Sequence, residues 1–290
     1  MISPREHADG TRYDMAQILT ETLMTIEKYK IAHPHYGELL DILGEILILR
    51  EEYRRKATED ICAVDERLIA KKIEGGLPLV DFAGEGINLT ESETYFAALL
   101  DRAEKRNPEE TQDIRRQLEQ GEIRYADLVR DAFFTTAQTM SSEDDETVFD
   151  LLGFLIEESL RPALEIVAER YGEVIRNSGW SEGYCPVCGH EPKIGELKGE
   201  EGQRYLFCSQ CGFEWYFVRV QCPFCRNTEQ QTLSYFTVEG EEKYRVDVCN
   251  ACNRYLKIVD FRDTTEEPNL DVEDIATLHL DILANDEGYE

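Results

Sequence analysis

CPVCGHEPKIGELKGEEGQRYLFCSQCGFEWYFVRVQCPFC, residues 185–225, holds three Cys-x-x-Cys pairs, and a fourth, Cys249 and Cys252, follows shortly after. One such pair is a weak signal. Four pairs between 185 and 252, with no cysteine of that stretch left over, are a strong one. Two intervening residues let a tight turn aim both sulfurs at one ion while backbone N–H groups point at the thiolates, and two such knuckles complete a tetrahedral four-sulfur shell. Gly189 and Gly212 follow the first two knuckles and Asn253 follows the fourth, residue types that readily take the positive φ such a turn needs. Arg226 follows the third, which weakens the turn expected there.

An internal repeat argues the pairing of the knuckles. Proline follows the first cysteine in the first and third knuckles, and an aromatic, basic strand precedes the second and fourth ("RYLFCSQC", "KYRVDVCNAC"). The repeated unit is Cys-Pro-x-Cys, a hairpin, then Cys-x-x-Cys. It predicts one metal site from Cys185, Cys188, Cys208 and Cys211 and a second from Cys222, Cys225, Cys249 and Cys252. A cross-braced arrangement would leave the repeat unexplained. A redox dithiol needs its pair at a helix start beside a βαβ pattern, and neither is present. Tetrahedral sulfur suits zinc and a rubredoxin-type iron almost equally, so the spacing predicts two metal ions per chain, iron or zinc. His190, beside the first knuckle, is not needed as a ligand where four thiolates already close the shell.

The chain around these knuckles has 290 residues and a net charge of −29. That is long enough for one large or two modest domains. The charge opposes nucleic acid, which is bound through Lys and Arg on phosphates, and opposes anionic membrane surfaces. Even residues 181–260 carry nine Lys and Arg against twelve Asp and Glu, a net of −3. No apolar run approaches the roughly 20 residues that span a bilayer. The start, "MISPREHADGTRYD", lacks the apolar stretch of a secretory signal, and the Arg54-Arg55 and Arg115-Arg116 pairs lie inside helical patterns. These features predict a cytoplasmic protein, where thiols stay reduced and cysteines want a reason other than disulfides.

From Thr11 to about Asn177 the pattern is helical. Met15, Ile18, Leu19, Leu23 and Ile26 recur at three- and four-residue spacing and stop before Pro34. "YGELLDILGEILILREEYRRKA" is rich enough in Leu and Ile for a central helix. A Gly/Pro-interrupted connector covers 74–90. Thr90 with Glu93 reads as a capping box, and Asn107-Pro108 opens another helix. Further helical stretches cover 122–140 and 145–177, the latter kinked near Pro162. His33 and His35 read as surface or capping residues, and Cys62 as a small core residue. No catalytic constellation, P-loop or dinucleotide fingerprint is present, so no catalytic residue is assigned.

After "NSGWSEG" short alternating runs replace the helical period. The fold class expected is α+β and multidomain: an all-α bundle over 1–180, two small β-rich ribbons over 181–220 and 221–262, and an acidic tail over 263–290. That tail has ten acidic residues, no Lys or Arg, and an apolar stripe of Ile275, Leu278, Ile282 and Leu283, which suits a helix docked back on the protein. Phe213, Trp215 and Phe217 fall on one face of a strand and exceed what so small a ribbon buries easily, which marks them as candidate partner-binding residues, with some packed between ribbons or onto the bundle and only part of the face free.

The segments "YCPVCGHEPKIG", "RYLFCSQCGFEWYFVRVQCPFC", "DVCNACNRYLKIVD" and "DVEDIATLHLDILANDEGYE" together resemble the formate dehydrogenase accessory protein (FdhE) family. The resemblance is detailed in the C-terminal half and extends to length and layout in the helical half. It implies an all-α domain followed by two rubredoxin-like ribbons, with iron on the paired cysteines. It also implies a cytoplasmic maturation factor, chaperone-like, that binds the catalytic subunit of formate dehydrogenase before export. Two alternatives stand beside it: a nucleic-acid-binding zinc-ribbon protein and a rubredoxin-type one-electron carrier.

Overall fold

The structure, a computed structural model, describes residues 15–57, 64–82, 88–135, 150–264 and 267–290. Cys62 and the stretch 136–149 lie outside them.

The helical part begins with a hairpin of α1 (Met15–Ala32) and α2 (Gly37–Arg54), turned at a 3₁₀ segment, Pro34–Tyr36, where proline supplies the first helical position. Ile26, Tyr36, Leu40 and Leu47 close the hairpin and receive Val272 from the C-terminal tail. Then come α3 (Ile69–Glu74), α4 (Thr90–Ala103), α5 (Pro108–Gln120), α6 (Tyr125–Thr135) and α7 (Leu151–Arg176). The capping box expected at Thr90 does not form. Thr90 is already helical and donates its N–H to Asn88 Oδ1, while the N–H of Glu93 goes to the backbone oxygen of Leu89. Asp150 caps α7 by accepting from Gly153 N at 3.0 Å. α7 then runs 26 residues, through Pro162, as the axis of the bundle.

α2 is central, though not purely apolar. It buries Arg50, Glu51 and Arg54 as well as Leu40, Leu47 and Leu49. Arg50 makes a bidentate pair with Glu158 on α7, both contacts at 2.7 Å, and Arg161 reaches Glu165 at 3.0 Å and Asp271 of the tail at 2.6 Å. Such buried pairs add little net stability when intact, but removing one partner leaves a stranded charge and costs about 3–5 kcal/mol.

β1 (Ile194–Lys198), β2 (Gln203–Phe207) and β3 (Glu214–Tyr216) form an antiparallel meander after the first knuckle, and β4 (Leu233–Phe236), β5 (Tyr244–Cys249) and β6 (Arg254–Val259) repeat it after the third. The two meanders join in one six-stranded sheet of order β3-β2-β1-β6-β5-β4, through parallel pairing of β1 with β6. Glycine is required at this seam: a Cβ on Gly195, opposite Ile258, would lie 2.8 Å from the Tyr205 carbonyl oxygen.

Both faces of the sheet are covered. Leu197, Leu206, Trp215, Leu256 and Ile258 share one continuous core with α4 and α7, so the hydrophobic interior crosses from helices to sheet without a break at residue 180. On the opposite face Val246 and Val248 meet Leu280 and Ala284 of the tail, which folds as α8 (Leu270–Ala276) and α9 (Leu278–Asp286). The tail is anchored by polar contacts as well. Lys257, 2% exposed, holds Asp281 at 2.7 Å, and the Glu273 carboxylate accepts from Tyr29 and Tyr244. Among the described residues no helix is long and apolar enough to cross a membrane.

Candidate metal centres

The four knuckles share one backbone device. The residue following each second cysteine sends its N–H back to the carbonyl of the first: Gly189 to Cys185 at 2.9 Å, Gly212 to Cys208 at 2.8 Å, Arg226 to Cys222 at 3.0 Å and Asn253 to Cys249 at 2.8 Å. All four sit at positive φ, 83°, 67°, 62° and 55° respectively. Arg226 therefore adopts the left-handed turn in spite of its side chain, at a cost of order 1–2 kcal/mol.

These turns bring Cys185, Cys188, Cys208 and Cys211 into one group and Cys222, Cys225, Cys249 and Cys252 into another, with all four sulfurs of each within 4.8 Å of one another. In the first group Cys185 lies 3.4 Å from Cys211 and Cys188 lies 3.4 Å from Cys208, sulfur to sulfur. In the second, Cys222–Cys252 and Cys225–Cys249 are both 3.7 Å. A tetrahedron with metal–sulfur bonds near 2.3 Å has edges of about 3.8 Å, so either group fits a single ion, zinc or iron. The knuckles of each repeat unit stay together; 185/188 does not group with 222/225.

In each group one thiol is held below its ordinary value. Burial raises Cys249, but hydrogen bonds from the N–H groups of Ala251 and Cys252 and from the Asn227 amide outweigh it and bring the thiol down to about 7. Burial of Cys208 is likewise outweighed, by hydrogen bonds from Cys185, Cys188 and Cys211, so it sits well below its ordinary value while burial pushes Cys188 and Cys211 up.

The two groups differ in setting. All four cysteines of the first are buried, whereas in the second Cys225 is exposed and Cys252 half-buried. The first also joins helices to sheet. Leu79 and Val80, from the connector after α3, donate their N–H groups to the carbonyls of Pro186 and Val187, both at 2.9 Å, and Gln210 donates to Glu157 O on α7 at 2.7 Å. His190 is not among the clustered ligands; its carbonyl accepts from Cys185 N at 2.8 Å. Asn227 was not singled out in the sequence. It takes the same place in its unit, its carbonyl accepting from Cys222 N at 2.9 Å, and its side-chain amide also reaches Cys249 Sγ at 3.6 Å. Aligning the two units on their Cys-Pro-x-Cys knuckles would have paired Asn227 with His190.

The aromatic face expected to be available for a partner is not at the surface. Phe213, Trp215 and Phe217 are 4%, 3% and 2% exposed. Phe213 and Trp215 pack in the core shared with α7, Trp215 donates to Glu182 O at 3.2 Å, and Phe217 lies under the guanidinium of Arg204. A shared core supplied the burial that an isolated ribbon lacks. The alternating neighbours Tyr216, Val218 and Val220 are exposed apolar residues of this segment, each at 48%.

A helical bundle fused to a sheet with two four-cysteine groups, each able to hold a metal ion, defines a protein of the double-ribbon class. Its C-terminal part is specific. Residues 184–219 match the family model "FdhE, central domain" and residues 220–290 match "FdhE, C-terminal domain", so the likeness to that family covers 184–290. Similar curated proteins include an FdhE homolog of Aquifex aeolicus, 35% identical over 48% of this chain and 50% of its own length, and one of Stutzerimonas stutzeri, 38% identical over 36% of this chain and 35% of its own length. The chain thus spans half or less of the curated relatives it matches. The crystal structure of the FdhE protein from Pseudomonas aeruginosa has the same fold across 94% of this chain and 92% of that one, with a TM-score of 0.64 at 19% identity.

Proposed function

We propose that this chain is a cytoplasmic accessory factor for formate dehydrogenase that binds the enzyme's catalytic subunit, performs no turnover of its own, and holds one metal ion, iron or zinc, in each four-cysteine group. The observation that carries the reading is the coincidence of the FdhE match over 184–290 with two complete four-cysteine groups in the same stretch. A full thiolate shell leaves no open coordination position for a substrate, which favours a binding role over catalysis. Since Phe213, Trp215 and Phe217 are interior, contact with the catalytic subunit falls to residues the ribbons display, Tyr216, Val218, Val220 and Tyr235, the last 62% exposed.

The test is affinity capture from cells making formate dehydrogenase. Recovery of the catalytic subunit, weakened by Val218→Asp and Val220→Asp in a protein of unchanged metal content, supports the reading. Unaltered formate dehydrogenase activity in cells lacking the protein would abolish it. A second reading, one-electron transfer, is favoured by the solvent access of Cys225. It requires iron, so a visible thiolate-to-iron absorption band that bleaches and returns on reduction and oxidation separates it from a zinc scaffold.

A further inference from the structure

A cleft of about 400 Å³ opens between the 219–224 linker and the outer strands β4 and β5. It is lined by Arg204, Arg219, Arg245 and Arg254 against one carboxylate, Asp247, in a chain whose net charge is −29. Arg204 and Arg245 share that carboxylate, at 3.2 Å and 2.9 Å. Arg254 is paired outside the lining with Glu191, at 2.6 Å, and Arg219 is exposed, with a long 3.4 Å bond to the Glu201 carbonyl. With a metal bound, the sulfurs of Cys222 and Cys249 in the lining would answer part of this charge, but knuckle N–H groups already hydrogen-bond both.

Arg204 is 2% exposed. One of its terminal nitrogens donates to Val218 O at 2.6 Å and Gln221 O at 2.5 Å, while its Nε has no hydrogen-bond partner among the described residues. Burial holds its pKa below the ordinary guanidinium value, the mark of a cation under-supplied with anions. Aromatic rings carry the guanidinium planes: Arg245 lies 5.0 Å over Tyr235 and Arg254 lies 3.8 Å over Phe224. Stacking of this kind fixes the planes; Glu191 takes one edge of Arg254 and Asp247 one edge of Arg245, and the remaining N–H groups of each can reach a planar or tetrahedral oxygen group.

We propose that this cleft is a binding site for an anionic group, a carboxylate or an oxyanion, brought either by a free small anion or by an acidic side chain of a bound protein. The site stands independently of the accessory role.

Isothermal titration of the full-length, metal-loaded protein with inorganic phosphate, and separately with a hexaglutamate peptide, tests it at low ionic strength. The expected result is saturable one-to-one binding of at least one of the two, weakened about ten-fold by Arg219→Gln and by Arg245→Gln. Arg106→Gln, on the helical bundle, should bind as the unsubstituted protein does. Tighter binding of the peptide assigns the anion to a protein side chain, and equal or tighter binding of phosphate assigns it to a free anion. Absence of saturable binding of both probes, or full affinity in Arg219→Gln, overturns the proposal. Arg219 is exposed and its backbone bond, to the Glu201 carbonyl, is a long one of 3.4 Å, so Arg219→Gln decides the matter even if Arg245→Gln loses metal.

Discussion

The sulfurs of Cys188 and Cys208 lie 3.4 Å apart although 20 residues separate them in sequence. The whole β1–β2 hairpin is the device that returns the chain to that point. The same contact ties the connector at Leu79–Val80, the knuckle and α7 together, because all three meet at this group. Cys188→Ser is therefore expected to lower metal content from two ions to one per chain and to loosen the helix–sheet joint, a loss of several kcal/mol. Metal analysis with amide hydrogen exchange at Leu79 and Val80 checks it. Cys252→Ser should also remove one ion but leave exchange at Leu79 and Val80 slow.

Unequal burial predicts unequal lability. A chelator has to approach a thiolate, and only the second group offers exposed or half-buried sulfur, at Cys225 and Cys252. Release should be biphasic, with the first ion leaving at least about ten-fold faster than the second. The fast phase should vanish in Cys225→Ser, which lacks that ion from the start. A single phase releasing both ions would contradict the difference in access.

The four-cysteine groups were legible because ligand spacing is local: two residues between cysteines define a knuckle, and the Cys-Pro-x-Cys repeat defines which knuckles come together. Helix positions followed from the apolar period, and Pro34 and Pro108 marked ends as expected. What local sequence does not encode is association between elements. Parallel pairing of β1 with β6 rests on a small residue, Gly195, whose meaning appears only once Ile258 lies beside it. The burial of Phe213, Trp215 and Phe217 depends on α7 and the first knuckle supplying the other half of the core, so counting aromatics against the size of an isolated ribbon left part of that face free where the whole of it is buried.

Arg226 offers a direct measure of turn strain. It holds φ 62° where the corresponding residues in two other knuckles are glycine, and its side chain is compensated by a 2.7 Å surface pair with Glu182. Arg226→Gly relieves about 1–2 kcal/mol of left-handed strain and loses roughly 0.5–1 kcal/mol to unfolded-chain entropy and a few tenths for the exposed pair. The expected outcome is a protein stabilised by up to about 1 kcal/mol, read as a higher denaturation midpoint at full metal loading. Arg226→Val, β-branched at the same φ, should be destabilised.

The sheet carries a carboxyl group whose titration runs opposite to the usual acidic case. Glu196 on β1 is raised to about 7, first by burial and then by the neighbouring Glu214, with Lys198 acting against both. A folded-state value above the unfolded value of about 4.5 means that the folded protein holds this proton where the unfolded chain has released it. The contribution of Glu196 to stability is thus fully present below about pH 4.5 and is lost as pH rises through about 7. Glu196→Gln, which keeps the shape and cannot ionise, should flatten the fall in stability between those two pH values and be the more stable protein at pH 8. Chemical denaturation at pH 5, 6, 7 and 8, with metal content held constant, checks this. Parallel pH profiles for the two proteins would show that Glu196 ionises in the folded state as freely as in the unfolded chain.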